Sequence, residues 1–283
     1  MQRHGGFDRK NRRRLSRKRQ LSVMSLEKRD LRQHSVMTST TTAEDTMPER
    51  FYIDPYQRTL ATTVVRHDDA GIVLADTLCY PLGGGQPGDS GSLLLADGSS
   101  IAISDTRRDK TTREIVHQVA ADAPRLAAGT AVTLQLDWAR RHRHMRIHTC
   151  LHLLSCVIKA GVTGGNLSAE SGRLDFDLPE GMELDKEHIE RELNALIAAD
   201  HAVSVQMTSG AALKAQPELI KTMSVTPPLE LSEIRLVAID GIDLQPCGGT
   251  HVRSSGEIGQ VVVKKIESKG ARNKRVVIAL ADA

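Results

Sequence analysis

The chain contains the run Arg146-Ile-His-Thr-Cys-Leu-His-Leu-Leu-Ser-Cys-Val-Ile158, which combines helical periodicity with two histidines. Its apolar stripe consists of Ile147, Leu151, Leu154 and Ile158. That spacing is typical of one helix face, and we predict a helix over residues 138–160. His148 and His152 lie beside the stripe, and side chains four positions apart on a helix have Cβ atoms about 5 to 6 Å apart. The two imidazoles can therefore share one metal ion.

A second pair of candidate ligands occurs in Pro246-Cys-Gly-Gly-Thr-His251. Gly248 and Gly249 would break a helix, so this segment is predicted to be a tight loop that presents ligands. With it, the chain offers three histidines and one cysteine, a set that a tetrahedral zinc accepts. We predict one zinc ion per chain, held by His148, His152, Cys247 and His251.

Two other classes of zinc protein do not fit this spacing. Cys247 stands 95 positions after His152, whereas a zinc finger closes its ligands over a few tens of residues. Zincin peptidases place a glutamate directly after the first histidine, where this chain has Thr149. His144 and Cys156 extend the same helical row, but one ion cannot reach both ends of it. The central pair of histidines is therefore the predicted one.

The composition indicates a folded protein of one or two domains. Of the 283 residues, 40% are hydrophobic, which is enough for a sizeable core. Aromatic residues are scarce, with three Phe, three Tyr and one Trp, so base recognition by aromatic stacking is not favoured. Four cysteines are too few for a disulfide framework, and no apolar run approaches the roughly 18 residues of a membrane span. We therefore expect a protein of the reducing cytoplasm.

The net charge of +3 is distributed unevenly. Residues 1–37 hold 12 basic and 3 acidic side chains, a charge of +9, which leaves −6 for the rest of the chain. A bulk electrostatic attraction of the folded part to nucleic acid is not indicated, so RNA contacts there would need local patches. Such basic runs are most often solvated faces. The candidates are Arg140, Arg141, Arg143 and Arg146, and Lys264, Lys265, Lys269, Arg272, Lys274 and Arg275.

By composition the chain divides into three segments. Residues 1–46 are predicted to be a disordered basic extension; a targeting peptide and a non-native upstream extension both fit, because Met47 precedes the first structured-looking residues. Residues 47–138 alternate short β-rich runs with turns, which predicts a small barrel-like or sandwich domain. Residues 139–283 mix helices and strands, with a break at 161–165, a helix capped by Asp185 and a hairpin of strands over 258–266 and 275–280. The predicted fold class is α+β.

A glycine-rich run, Tyr80-Pro-Leu-Gly-Gly-Gly-Gln-Pro-Gly-Asp-Ser-Gly91, is a second candidate site. Gly83, Gly84 and Gly85 allow close approach to the backbone and expose amide donors that can meet phosphate or sugar. The run lacks the spacing of a nucleotide-phosphate loop and of a dinucleotide site. A plain connection between strands is the alternative.

Four motifs together resemble the free-standing alanyl-tRNA editing proteins, the AlaX family, which are related to the editing domain of alanyl-tRNA synthetase. They are His148-x-x-x-His152, Cys247-Gly-Gly-Thr-His251, Gly83-Gly-Gly-Gln-Pro87 and Ser171-Gly-Arg-Leu-Asp-Phe176, and the resemblance covers residues 51–283. The glycine-rich module is similar to the medium-length form. The chain departs from the pattern at Cys79, where Phe is usual, and near Asn166, where relatives often carry Gln.

The resemblance implies hydrolysis of tRNA(Ala) mischarged with serine, with Gly-tRNA(Ala) as a further candidate substrate. It also implies zinc at the four residues named above, and a β-rich domain ahead of an α+β editing domain. An aminoacyl ester is already activated, so the enzyme needs to position water and stabilise an oxyanion. Four protein ligands close a tetrahedral zinc, whereas catalytic zinc keeps an open position. Two hypotheses follow: either Cys247 or His251 is labile, or a closed zinc organises the pocket around the 3′ end.

Serine is larger than alanine, so a pocket that admits serine has to recognise its hydroxyl. A buried polar partner left unpaired costs about 1 to 3 kcal/mol, roughly ten- to more than a hundred-fold in rate. No catalytic residue is assigned. The candidate substrate-contacting residues are Gly83, Gly84, Gly85, Gln86, Thr149, Asn166 and Thr250. Two rival functions stay open: a non-catalytic, zinc-stabilised tRNA-binding module, and a zinc hydrolase of small esters or amides.

Overall fold

Within residues 49–223 and 226–282, which the computed structural model describes, the chain forms fourteen strands and four α-helices. Every pairing between the named strands is antiparallel. Such a mixture of helices and antiparallel sheets confirms the α+β fold class. These residues belong to one compact unit bounded by Met47 and Ala283. The predicted disordered extension, residues 1–46, lies outside the described residues.

A seven-stranded sheet follows a short helix, α1 (Arg50–Ile53). Its strands are β1 (Thr59–Asp68), β2 (Gly71–Leu74), β3 (Gly91–Leu95), β4 (Ser100–Ile103), β5 (Asp105–Arg108), β6 (Ile115–Gln118) and β7 (Ala131–Leu136), in the order β4-β3-β7-β1-β2-β6-β5. Leu93 and Leu134 pair across β3 and β7 and are fully buried, as alternate side chains on one sheet face should be. The sheet has β4 and β5 at its edges, and closure into a barrel stays a prediction.

The central helix, α2 (Trp138–Val157), carries the histidine pair. Asp137 caps its first turn by accepting a hydrogen bond from the Arg140 amide. Residues 147–155 are all buried, so the helix runs through the interior. The predicted helix is confirmed, but it ends at Val157 rather than at residue 160, because the backbone of Ile158 is extended.

Two further sheets and two helices complete the described part of the chain. Their bounds are β8 (Gly161–Leu167), β9 (Ser171–Asp177), α3 (Lys186–Ala198), β10 (Val203–Thr208), α4 (Gly210–Lys214), β11 (Ile234–Ile239), β12 (Asp243–Pro246), β13 (Val261–Ser268) and β14 (Asn273–Leu280). One sheet has the order β13-β14-β9-β8 and the other β10-β11-β12. The first packs against α2 and α3, and this interface holds the larger hydrophobic core.

The break predicted at residues 161–165 is wrong, because these residues belong to β8. Its glycines suggested a turn, yet they fit a strand whose neighbours approach closely: a Cβ at Gly165 would lie 2.9 Å from Leu174 Cδ2. The C-terminal hairpin is confirmed as β13 and β14. Its first strand begins at Val261 rather than at residue 258, because Ser255–Ile258 forms a 3₁₀ turn. The cap of α3 by Asp185 is also confirmed.

The three-stranded sheet positions the second pair of candidate ligands. Its last strand, β12, pairs with β11 and ends at Pro246, directly before Cys247. β12 was not expected from the sequence, because the run Asp-Leu-Gln-Pro lacks the apolar content of a typical strand. None of the helices in the described ranges combines the length and the apolar character needed to cross a membrane.

Candidate metal centre

Three imidazoles and one thiol converge between α2 and the loop that follows β12. The potential ligand atoms of His148, His152, Cys247 and His251 all lie within 4.8 Å of one another. Cys247 Sγ is 3.5 Å from His148 Nε2 and 3.2 Å from His251 Nε2. The structure thus brings all four predicted ligands together into a cluster that could hold a metal ion.

Each of the three imidazoles is oriented by a hydrogen bond at its other nitrogen, Nδ1. His148 Nδ1 is 2.9 Å from Gln86 Oε1, and His152 Nδ1 is 3.0 Å from a carboxylate oxygen of Asp243. His251 Nδ1 is 3.1 Å from the Thr149 hydroxyl, which itself donates to the Met145 carbonyl and therefore accepts from the ring. These partners place the protons on Nδ1 and leave Nε2 as the ligand atom, the usual arrangement of metal-binding histidines.

The spacing of the ligand atoms fits a tetrahedral metal. Nitrogen ligands at about 2.0 Å and a thiolate at about 2.3 Å from zinc place tetrahedral ligand atoms roughly 3.3 to 3.6 Å apart. The separation of Cys247 Sγ from His148 Nε2, 3.5 Å, falls within that range, and its separation from His251 Nε2, 3.2 Å, lies just below it. His144 and Cys156, which extend the row along α2, are not members of the cluster.

The electrostatics of the cluster favour the thiolate form of Cys247. Burial raises the pKa of the thiol, but coulombic attraction to His148 and His251 outweighs burial and holds that pKa well below its usual value. The Gly249 amide also points at the sulfur, with its nitrogen 3.4 Å from Sγ. Because the thiolate is the form that ligates a metal, the site is chemically prepared for one.

The two glycines after Cys247 have different surroundings. A Cβ at Gly249 would lie 2.1 Å from His148 Cε1, so only glycine lets the loop pass this close to the ring. At Gly248 the nearest atom to a Cβ would be Tyr52 Oη at 3.6 Å, an ordinary contact. Gly249 therefore permits the approach of the loop to α2.

The glycine-rich run supplies the partner of His148. Gly83 and Gln86 exchange two backbone hydrogen bonds around Gly84 and Gly85, whose φ values of 57° and 80° define a tight turn that favours glycine. Gln86 is fully buried, and its amide group donates to the Thr250 hydroxyl and accepts from the Thr250 amide as well as from His148. The turn thus connects the β-rich part of the chain to His148 on α2 and to the loop that carries Cys247 and His251.

A buried ionic network lies behind His152. The side chain of Asp243 is fully buried and accepts hydrogen bonds from His152, from Gln245 at 2.6 Å and from the ammonium group of Lys221. Burial raises the pKa of this carboxyl, but the hydrogen bonds and charges of His152 and Lys221 hold it below its usual range. Asp243 is therefore an ionised carboxylate that fixes the orientation of the His152 ring.

A cavity of about 670 Å³ opens beside the cluster. His148, His152 and Cys247 form part of its wall. The volume lies within the roughly 300 to 1,000 Å³ that is usual for sites of small ligands. A ligand in this cavity would reach three of the four candidate metal ligands.

Some of the predicted substrate-contacting residues line the cavity, and others lie behind its wall. Gly84, Gly85 and Asn166 line the cavity, and Asn166 is exposed. Gly83 belongs to the tight turn and does not line it. The other three are buried behind the wall, where their side chains hold the candidate ligands or the loop that carries them; they are Gln86, Thr149 and Thr250.

Comparisons with known proteins show the family of this chain. The chain is 34% identical over 243 residues to the alanyl-tRNA editing protein AlaX-M of Methanosarcina acetivorans, covering 82% of this chain and 98% of that protein. It is 32% identical to AlaX-M of Saccharolobus solfataricus, over 81% of this chain and 98% of that one. The chain belongs to the family of alanyl-tRNA editing proteins.

Other matches are to tRNA synthetases and to family models of their domains. An alanine–tRNA ligase of Pyrobaculum arsenaticum is 35% identical over 77% of this chain, which spans 25% of the ligase. Residues 234–277 match the family model of the threonyl and alanyl tRNA synthetase second additional domain. Residues 4–140 match that of class II (A) tRNA synthetases. The match over residues 234–277 includes the second pair of candidate ligands, Cys247 and His251.

Sequence reasoning missed two residues of the site in this editing-family protein, Asp243 and Arg235. Asp243 and Gln245 occupy alternate positions of β12 and meet in the same buried network. This period-two pattern of polar residues leading into Cys247 is a signal that could have identified them. Arg235 lies on β11 and lines the cavity. An arginine within an apolar strand is the corresponding signal.

The two basic runs considered for RNA contact are largely paired within the protein. Arg141 is 1% exposed and forms a buried ion pair with Asp89. The other pairs are Arg143 and Arg146 with Asp282, Lys265 and Lys269 with Glu267, Arg272 with Asp177, and Arg275 with Asp175. Much of the positive charge in these runs is thus already compensated.

Proposed function

We propose that this chain is an aminoacyl-tRNA deacylase that edits tRNA(Ala) in trans by hydrolysing Ser-tRNA(Ala), with Gly-tRNA(Ala) as a further candidate substrate. Membership of the alanyl-tRNA editing family supports the reaction and the tRNA partner. The match to proteins named AlaX-M over 96 to 98% of their length supports a free-standing enzyme of the medium-length form. Such a protein would act in the cytoplasm, where tRNA is charged.

One observation supports this function most strongly: three candidate metal ligands form the wall of a cavity with room for the aminoacylated end of a tRNA. His148, His152 and Cys247 line the cavity, so a bound ester would lie next to the metal centre. A purely structural site would more often be enclosed by protein. Placement beside a cavity supports the catalytic proposal over the non-catalytic binding module.

We propose zinc as the resident ion, one per chain. Three imidazole nitrogens and a thiolate match the ligand preferences of zinc, and their spacing suits its tetrahedral geometry. When bound, zinc would supply a positive charge able to polarise an ester carbonyl or lower the pKa of a water. The chain's own contribution is to hold the ligands rigidly through Gln86, Asp243 and Thr149.

We propose that Asn166 recognises the hydroxyl of the mischarged serine. Its side chain is exposed at the cavity wall, and its Cα would lie 3.5 Å from a Cβ at Gly85 on the facing loop. The hydroxyls of Thr149 and Thr250 are already occupied by hydrogen bonds inside the protein. The backbone of Gly84 and Gly85 would then meet the substrate from the opposite side.

We also propose that residues 47–138 and 139–283 act as two domains, the first of them barrel-like. The two large hydrophobic cores support this division, because one is built within residues 60–138 and the other mostly after residue 138. Trp138 packs against both. In this arrangement the glycine-rich turn of the first domain completes the site of the second.

The test is hydrolysis of Ser-, Gly- and Ala-tRNA(Ala) by the purified protein, with and without a chelator. Release of serine should exceed release of alanine by about ten-fold or more, and the chelator should abolish it. Binding of tRNA without hydrolysis would favour the non-catalytic module. Equal hydrolysis of a small ester such as serine methyl ester, with no gain from tRNA, would favour the small-ester hydrolase.

A further inference from the structure

Arg235 presents a cation to the cavity without a carboxylate partner among the described residues. It lies on β11, and its Nη1 donates to the carbonyls of Cys247 at 2.7 Å and Gly249 at 3.0 Å. Its guanidinium carbon is 5.0 Å from the centre of the Tyr52 ring. These contacts hold the guanidinium group in place on the wall of the cavity, next to the Cys247 loop.

Two other arginines in the described ranges, one buried and one half-buried, are paired with acids. Arg141 pairs with Asp89, and Arg275 pairs with Asp175. The charged or ionisable neighbours that affect Arg235 are Cys247, Tyr52 and Tyr80, none of them a carboxylate. Its Nε is buried without any hydrogen-bond partner. Arg235 thus differs from these two arginines in having no carboxylate partner among the described residues; its anionic neighbour is the Cys247 thiolate, a candidate metal ligand.

Withdrawing a cation partly from water is costly unless an anion compensates its charge. The guanidinium group is well suited to phosphate, which it binds through short, charge-assisted hydrogen bonds. In the proposed substrate, the phosphate nearest to the ester belongs to the same terminal nucleoside, one ribose away. Arg235 lies next to the loop that carries a candidate metal ligand, since its Nη1 donates to the carbonyl of Cys247.

We infer that Arg235 binds the 5′-phosphate of the terminal nucleotide of the aminoacylated tRNA. The inference rests on the proposed deacylase function and adds to it a residue that orients the substrate. In this arrangement the cavity holds a nucleotide whose ester lies near His148 and His152 and whose phosphate lies near β11. Without this contact, the substrate would be held by its amino acid and ribose alone.

Arg235 also supports the Cys247 loop, so a general loss of activity in a variant would not identify its role. The experiment therefore compares two stable analogues, in which serine is joined through an amide to the 3′ position of either adenosine 5′-monophosphate or adenosine. Binding of each is measured by calorimetry to the wild-type protein, Arg235→Gln and Arg235→Lys. Arg107→Gln is the matched control, because Arg107 is an exposed arginine paired with Asp105 and does not line the cavity.

The wild-type protein should bind the phosphate-bearing analogue about 10- to 100-fold more tightly than the nucleoside analogue, as expected for charge-assisted hydrogen bonds. In Arg235→Gln this ratio should fall to about one, while Arg235→Lys keeps part of it and Arg107→Gln keeps all of it. A ratio of one in the wild-type protein, or an unchanged ratio in Arg235→Gln, would overturn the inference. If Arg235→Gln does not fold, the wild-type ratio and that of Arg235→Lys decide. Hydrolysis of Ser-tRNA(Ala), measured separately, shows whether the proposed function survives.

Discussion

Replacing Gly249 by alanine should disable the metal centre, whereas the same replacement at the adjacent Gly248 should not. The new Cβ at position 249 would lie 2.1 Å from His148 Cε1 and 2.9 Å from Gln86 Oε1. The Cβ at position 248 would meet nothing closer than Tyr52 Oη at 3.6 Å. Neither glycine has a positive φ, so the two substitutions differ in contact rather than in backbone strain.

The size of the effect follows from the contact distance. Carbon atoms pack at about 3.5 to 4.0 Å, so the His148 ring or the loop must retreat by more than about 1 Å. Metal–ligand distances tolerate changes of only about 0.2 Å. Overpacking of this kind costs about 1 to 3 kcal/mol. Because the displaced ring carries a ligand, that strain should appear as a roughly 5- to 150-fold loss of zinc affinity.

The assay is competition for zinc between the metal-free protein and a chromophoric chelator at pH 7. The wild-type protein and Gly248→Ala should give similar affinities, with Gly249→Ala weaker by the factor above. Circular dichroism would show that all three proteins are folded. Equal zinc affinity for Gly249→Ala and the wild-type protein would refute the reasoning that this glycine sets the approach of the loop to His148.

Two further predictions concern Asp243, which supports a candidate metal ligand, and the buried His117. Asp243→Asn should weaken zinc binding about 10- to 100-fold, because it removes the carboxylate that orients His152. The control, Asp175→Asn, removes a carboxylate paired only with arginines and should leave zinc affinity unchanged. Equal losses of zinc affinity in the two variants would contradict the role of Asp243 in orienting His152. Burial lowers the pKa of His117 to about 4. Between about pH 6.5 and 4 the unfolded chain therefore binds a proton that the folded chain does not. The free energy of unfolding should decrease as the pH is lowered through this range, by up to about 1.4 kcal/mol per pH unit. Urea unfolding of His117→Gln in chelator should show a shallower decline than the wild-type protein; identical slopes would show that the ring titrates normally.

The helix and its histidine pair could be predicted from the sequence because both depend on local spacing. Ile147 and Leu151 mark the buried face, and ligands four positions apart share a direction on any helix. The loop from Cys247 was recognisable by its glycines and ligand chemistry. The distance of 95 positions itself pointed to a site closed by tertiary structure.

The support of the site could not be predicted, because it depends on contacts between distant strands. Gln86 reaches His148 across 62 positions, and Asp243 reaches His152 across 91. Nothing in the local sequence of Gln86 distinguishes a buried hydrogen-bond partner from a surface residue, and the alternation of Asp243 with Gln245 does not reveal that His152 is the partner. In β8 the local signal was misleading, since glycines that suggested a break at residues 161–165 instead allow close packing of strands.

Reconstitution with zinc tests the central claim most directly. Metal-free protein would be titrated with Zn²⁺ while the initial rate of Ser-tRNA(Ala) hydrolysis is measured. We predict negligible hydrolysis without metal and a linear rise that ends at one zinc ion per chain. Full hydrolysis of Ser-tRNA(Ala) by the metal-free protein would contradict a zinc-dependent deacylase at the His148, His152, Cys247 and His251 cluster.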